Sequence, residues 1–177
     1  MAGRQRYEQR RTVVMSADAV GYSRWMATTD ERWACDMLRA CASRITESVR
    51  SFGGRVVDAP GDNLLAEFAS EPAALECAID IQRRLADHRA RRNRDGMRFR
   101  IGLHSGEVLS RDGKLYGHVV NLAARFQTAA HPDGILLSRA IVEHVGAVLA
   151  RQLEPLGELS FKNIPYPVAA FQVEPSR

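Results

Sequence analysis

With 177 residues, 45% of them apolar, and a formal net charge of +4, the chain is long enough to bury one hydrophobic core, yet it holds no apolar run of the ~18 residues that a membrane span needs. Its start, MAGRQRYEQRR, lacks the apolar stretch of a secretory signal. These features predict a cytoplasmic protein with no membrane partner, a flexible basic arm over residues 1–10 and a single domain over residues 11–177.

In chain order, residues 11–19 read as a buried strand rich in Thr and Val. Residues 22–52 read as helix, broken near ATTD, where Thr28, Thr29 or Asp30 is placed to cap the second segment; Gly53-Gly54 ends it. RVVDA and NLLAEFA are two strands joined by a tight turn. Residues 71–92 form a helix that tolerates Pro72 in its first turn. In MRFRIGLHSGEVL, Met97, Phe99, Ile101 and Leu103 alternate toward one side, as in a strand. SRDGKLYG turns back toward a helix from Val119 to Thr128. ILLS is a short strand, residues 139–149 a helix, and LGELSFK and VAAFQVE lie near two last strands separated by NIPYP. The order β-α-β-β-α-β followed by further elements predicts an α+β fold: a ferredoxin-like core with a C-terminal α/β extension.

Three cysteines, Cys35, Cys41 and Cys77, match no zinc spacing, and an odd count does not make a disulfide framework. Small buried thiols in a reducing compartment are expected. A basic stretch, HRARRNRDG at residues 88–96, has no interleaved aromatics and reads as a solvated loop, not a nucleic-acid surface; no nucleic-acid partner is expected.

Two aspartates stand out. Asp18 ends the apolar run RTVVMSA, and Asp62 sits in the turn PGDN. Taken singly, one reads as a helix cap and the other as a turn residue. Convergent carboxylates repel unless a cation joins them, and Mg2+ or Mn2+ accepts such a pair while keeping positions open for phosphate oxygens. Gly21 and Gly61 beside them let backbone approach a triphosphate closely. Asn121 and Arg125 lie one helical turn apart in VVNLAARF. The set offers a divalent-metal site and a polar clamp without an obvious protein nucleophile, which suits an enzyme that makes a nucleotide attack itself.

The segments SADAVGYS, GGRVVDAPGDNLLAEF, FRIGLHSGEV, YGHVVNLAARF, DGILLS and LSFKNIPYPV, in this order over roughly residues 11–173, resemble the class III nucleotidyl cyclases, the adenylate and guanylate cyclase catalytic domain. The resemblance implies two divalent cations, Mg2+ or Mn2+, held by Asp18, Asp62 and the carbonyl of Ala19. It implies in-line attack of the ribose 3′-hydroxyl on the α-phosphorus with loss of pyrophosphate. Asn121 would orient the ribose and Arg125 would stabilise charge on the α-phosphate. Gly21, Tyr22, Ser23 and Lys162 would hold phosphates. It also implies a homodimer whose sites are shared, the metal side from one subunit and the Asn/Arg side from the other.

One departure concerns the base. Adenylate cyclases of this family carry a lysine four residues before the second metal aspartate and an aspartate seven before the asparagine. Here those positions hold Asp58 and Lys114, although a shift of the SRDGKLYG loop would bring Asp112 into play instead. Aspartate accepting an N–H and lysine donating to an oxygen complement the lactam edge of guanine or uracil, whereas adenine presents an amine beside an acceptor. Mispaired buried polar groups cost about 1–3 kcal/mol each, enough to disfavour ATP by roughly tenfold or more. UTP or GTP is therefore the expected substrate, with a slight preference for UTP. Stand-alone relatives include the pyrimidine cyclases of the anti-phage Pycsar systems, whose cyclic nucleotide is read by a separate effector protein. Against this stand an adenylate cyclase making cyclic AMP, a non-catalytic nucleotide-binding module, a base pocket in which Asp58 and Lys114 pair only with each other or solvent, and an RNA-binding ferredoxin-like domain. The last lacks the aromatic pair on FRIGLHSGEV that base stacking requires.

Overall fold

Residues of strand β1 (Glu8–Ala19) alternate between two buried surfaces: Val13, Met15, Ala17 and Ala19 face one, and Val14 with Ser16 the other. A strand covered on both sides belongs at the centre of a layered fold. The computed structural model describes residues 6–92 and 96–173, and among them β1 lies inside an eight-stranded sheet.

After β1 come α1 (Tyr22–Thr28), α2 (Glu31–Ser51), β2 (Arg55–Asp58), β3 (Asn63–Phe68), α3 (Glu71–Arg92), β4 (Phe99–Arg111), β5 (Lys114–Tyr116), α4 (His118–Ala129), β6 (Ile135–Ser138), α5 (Arg139–Val142), α6 (Gly146–Ala150), β7 (Leu153–Leu159) and β8 (Val168–Val173). The strands run β2-β3-β1-β4-β6-β8-β7, with β5 paired to β4. The first four in that order form the ferredoxin-like core that the β-α-β-β-α-β pattern predicts. β1 is antiparallel to both β3 and β4, while β4 and β6 are parallel.

Helices α2 and α3 cover one face through Met37, Cys41, Ile45, Leu75, Ile81 and Leu85. Helix α4 covers the other, with Val119 and Ala123 against Val14, Val108 and Leu115. Two glycines of β4 make this approach possible. A Cβ on Gly102 would stand 2.2 Å from both the Ala123 carbonyl and the Gln127 amide, and one on Gly106 would stand 2.9 Å from Val119. Helix α4 thus packs across β1 and β4 on this face, where stacked bases would need open sheet.

The Asp30 carboxylate caps α2, accepting from the amides of Arg32 at 2.8 Å and Trp33 at 3.3 Å. Several boundaries differ from the sequence reading. Glu8–Arg10, inside the expected arm, are strand, because polar pairs carry β1 along β4 and β3: Gln9 donates to Glu107 at 2.7 Å and Arg10 meets Glu67 at 2.5 Å. Residues 1–5 of that arm lie outside the described residues. Met97 is buried but precedes β4. The SRDGKLYG turn contains β5, folded onto β4 by a two-residue turn in which Asp112 and Gly113 have φ of +53° and +77°. The helix expected over residues 139–149 is split before Gly146, whose φ of +77° is left-handed. Strand β7 ends at Leu159, leaving Phe161 and Lys162 in the following loop. Of the basic stretch 88–96, residues 88–92 close α3 instead of forming a loop, and 93–95 lie outside the described residues. Cys41 and Cys77 are buried, but Cys35 is exposed on the outer side of α2. No helix among the described residues is long and apolar enough to cross a membrane.

Candidate active site

The two metal-ligating candidates are brought onto neighbouring backbone because β3 pairs with β1. Asp18 stands opposite Asn63 of β3 and Arg100 of β4. The next residue, Ala19, donates its amide to the carbonyl of Asp62 at 3.2 Å. The Asp62 turn is closed by the Asn63 amide bonding the Pro60 carbonyl at 3.2 Å, with Gly61 at φ +61°. The hairpin tip is thus stitched to the end of β1, and the two aspartates lie on adjoining backbone.

Asp18 is largely covered, with 17% of its side chain accessible. Its Oδ2 accepts from Arg100 Nη2 at 2.7 Å and from Gln127 Nε2 at 3.2 Å. Arg100 also donates to the Thr128 carbonyl at 3.1 Å. The Asp18 carboxylate is therefore held from both sides, by a strand and by α4. Asp62 makes no ion pair among the described residues. Two carboxylates and a main-chain carbonyl are hard oxygen donors that fit Mg2+ or Mn2+. No group of three or more His, Cys, Asp or Glu gathers among the described residues.

Gly21, with φ +68°, begins α1, and the exposed Ser23 follows in its first turn. The Tyr22 ring packs on the main core, with its hydroxyl 3.8 Å from Cys35 Sγ. That contact, together with desolvation and the nearby Cys35 and Asp62, pushes the phenol pKa up. The Tyr22 side chain is thus turned toward α2.

Asn121 and Arg125 occupy the outer side of α4, Asn121 exposed and Arg125 half-buried. Gln127, which touches Asp18, is buried on the inner side. Residues two apart on a helix point about 200° from each other, so Arg125 faces away from the Asp18 of its own chain. Lys162 is exposed on a loop fastened to this same helix: Phe161 packs edge-on to Phe126 at 5.3 Å, and the Tyr166 hydroxyl lies 2.9 Å from His118 Nε2. The fold therefore sorts the expected residues into two groups, Asp18, Ala19, Asp62 and Gly21 at the end of β1, and Asn121, Arg125 and Lys162 on and beside α4.

Asp58 ends β2 opposite Leu65, past a bulge after Val56, and its Oδ1 accepts from its neighbour Ala59 at 3.0 Å. Lys114 opens β5 opposite Arg111. The two are both exposed and make no ion pair with each other among the described residues. Asp112, the alternative to Lys114, is at the turn tip and lies 3.6 Å from Arg111.

Residues 5–165 match the family model described as the Adenylate and Guanylate cyclase catalytic domain. The chain belongs to this family. It is similar to "Putative adenylate cyclase 3" of Rhizobium meliloti, 35% identical over 166 residues that cover 90% of this chain and 27% of that protein. It is also similar to an "Adenylate cyclase" of Streptomyces coelicolor, 29% identical over 136 residues, covering 77% of this chain and 34% of that one. The chain spans 27% and 34% of the lengths of these two relatives. Among solved structures it resembles an "Adenylate/Guanylate Cyclase/Hydrolase" from Silicibacter pomeroyi, with TM-score 0.86, 29% identity and coverage of 97% of this chain and 100% of that one. The fold is also that of the adenylyl cyclase CyaB from P. aeruginosa, with TM-score 0.83, 18% identity and 97% of each chain covered.

In this cyclase domain, sequence reasoning missed Arg100 and Gln127. A signal for Arg100 was present. It alternates with Phe99 and Ile101, so it must face the side of β4 opposite the core. Its pairing with Asp18 depends on a register that only the folded sheet supplies. Gln127 carried no signal beyond lying two residues after Arg125.

Proposed function

We propose that this domain converts a nucleoside triphosphate to its 3′,5′-cyclic monophosphate and pyrophosphate, as a homodimer with two shared sites. The observation that carries the reading is the opposition across α4: Gln127 meets Asp18 within one chain, while Arg125 faces outward. A site needing both Asp18 and Arg125 then draws them from two chains. Divalent cations held by Asp18, Asp62 and the Ala19 carbonyl would supply Lewis acidity toward the ribose 3′-hydroxyl and charge neutralisation for the triphosphate.

The chain's own residues do the rest. Arg100 and Gln127 hold the Asp18 carboxylate in one orientation. Amides at the start of α1, from Gly21 to Ser23, donate hydrogen bonds to phosphate oxygens. Asn121 orients the ribose so that its 3′-oxygen lies in line with the bond to the leaving pyrophosphate. Arg125 stabilises the charge that grows on the α-phosphate, and Lys162 binds the terminal phosphates. The 3′-oxygen forms its bond to the α-phosphorus, the bond to pyrophosphate breaks, and the hydroxyl proton passes to solvent.

Asp58 and Lys114 support a lactam-edged base, uracil or guanine. They do not pair with each other among the described residues, which leaves both free to read a base. A cyclic UMP product would suit anti-phage signalling through a separate effector protein; cyclic GMP would suit ordinary second-messenger signalling. The names of the relatives favour a second reading, ATP as substrate. The test is turnover of ATP, GTP, UTP and CTP by the purified protein with Mn2+, with products separated by chromatography. Cyclic UMP or cyclic GMP as the main product supports the base reading. Cyclic AMP overturns it and leaves the cyclase assignment standing, whereas no turnover of any of the four favours a non-catalytic nucleotide-binding module.

A further inference from the structure

Asp58 and Lys114 lie on short strands that are not neighbours in the sheet. β2 has four residues at one edge, and β5 has three and pairs only with β4. Val57 of β2 packs in the same apolar cluster as Leu115 of β5, and a guanidinium adds a polar bridge between the two strands. Arg55, three residues before Asp58, donates from Nε at 2.9 Å and Nη2 at 2.6 Å to Glu67 Oε1, and from Nη1 at 3.1 Å to the carbonyl of Gly113, the residue preceding Lys114. Glu67 is a firm anchor. It stands opposite Arg55 in the β2–β3 register, its side chain is 11% accessible, and Arg10 of β1 binds its other oxygen at 2.5 Å. Burial pushes the Glu67 carboxyl up, but the hydrogen bonds and charges of Arg10 and Arg55 outweigh this and hold it below the usual range. It therefore stays ionised and keeps its grip on Arg55.

We propose that Arg55 is a positioning residue for base selection: by bridging Glu67 and the Gly113 carbonyl, it fixes the separation between Asp58 and Lys114. The proposal rests on the reading of those two as base contacts. A planar fork can hold a carboxylate on one edge and a carbonyl on another at once, which a lysine ammonium at this position cannot do with the same geometry. The bulge between Val56 and Asp58 leaves the end of β2 weakly set by the sheet alone. Displacement by about 1 Å is enough to lose discrimination between base edges.

The experiment measures binding of the 3′-deoxy forms of ATP, GTP, UTP and CTP, which cannot cyclise, by calorimetry with Mn2+. It compares wild type, Arg55→Met, Arg55→Lys and Lys114→Ala, with melting temperatures alongside. The expected result for Arg55→Met is a fall of at least about fivefold in the ratio between best- and worst-bound base, with the worst-bound affinity unchanged. Arg55→Lys, which keeps the charge and guards against a misfolded variant, is expected to lose selectivity too. Uniform weakening of all four ligands, or unchanged ratios, in the Arg55 variants while Lys114→Ala narrows the ratio overturns the positioning role alone. Ratios insensitive to Lys114→Ala, or a wild type that binds all four alike, overturn the base reading and this proposal with it.

Discussion

Gln127 and Arg125 sit two residues apart on α4 and serve opposite sides of it: Gln127 donates inward to Asp18 Oδ2 at 3.2 Å, while Arg125 faces outward and joins no ion pair among the described residues. In the proposed shared site, the helix that secures one half would present the other half to a second subunit.

Complementation follows directly. Asp18→Ala and Arg125→Ala, each inactive alone, are expected to regain turnover when mixed and allowed to exchange subunits. One of the two sites in each mixed dimer then keeps both wild-type residues, so a random mixture approaches about one quarter of wild-type activity, half of its dimers being mixed with one working site each. Activity that stays at the background of the single variants after demonstrated exchange would show that the site is not shared.

Asp62→Ala is expected to abolish turnover, by 10²-fold or more on the scale of losing a charge-stabilising group, ~3 kcal/mol. The dimer should persist, since the hydrogen bond that joins the hairpin to β1 uses the Asp62 carbonyl and not its side chain. Turnover and sedimentation velocity check both halves, and near-wild-type activity would remove Asp62 from the metal site.

Gly102→Ala tests the contact between α4 and the sheet. The added methyl would lie 2.2 Å from two backbone atoms of α4, which cannot rotate away as a side chain can. A loss of about 1–3 kcal/mol or more in urea unfolding is expected, with reduced turnover as α4 carries Gln127 away from Asp18. A variant as stable as wild type would contradict the close approach.

Acid should weaken the fold partly through His104. Burial, with the charges of His118 and Arg11, lowers its pKa to about 4, and its Nδ1 sits 2.7 Å from the Ser138 hydroxyl. Between about pH 6.5 and 4 the unfolded chain binds a proton that the folded chain refuses, so stability falls as pH falls through this window. The contribution is on the order of 3 kcal/mol when complete. Glu67 and Asp80, both held below their ordinary values against the opposing effect of burial by arginine and serine partners, add to the loss in the same direction at lower pH. The drop in Tm from pH 7 to pH 5 is expected to be smaller in His104→Gln than in wild type; equal drops would show that His104 does not titrate this way.

What the sequence by itself determined here is the part of the fold set by short-range pattern. A Thr- and Val-rich apolar run marked β1, alternation marked β4, the ATTD break and the Gly53-Gly54 pair marked the limits of α2, and the order of elements led to the β2-β3-β1-β4 core. It also supplied the residue types of both half-sites, because hard oxygen ligands and phosphate-binding cations are chemical requirements visible without coordinates. Tertiary structure alone decided which of those residues meet. The register that sets Asp18 against Arg100, the glycines that admit α4 close enough for Gln127 to reach Asp18, and the Arg55 bridge to Gly113 all join residues of different elements, as far as 109 positions apart in the chain. Local propensity carries no information about such pairs. They are fixed by strand order and by the distance at which one element can pack on another, and those are properties of the whole folded chain.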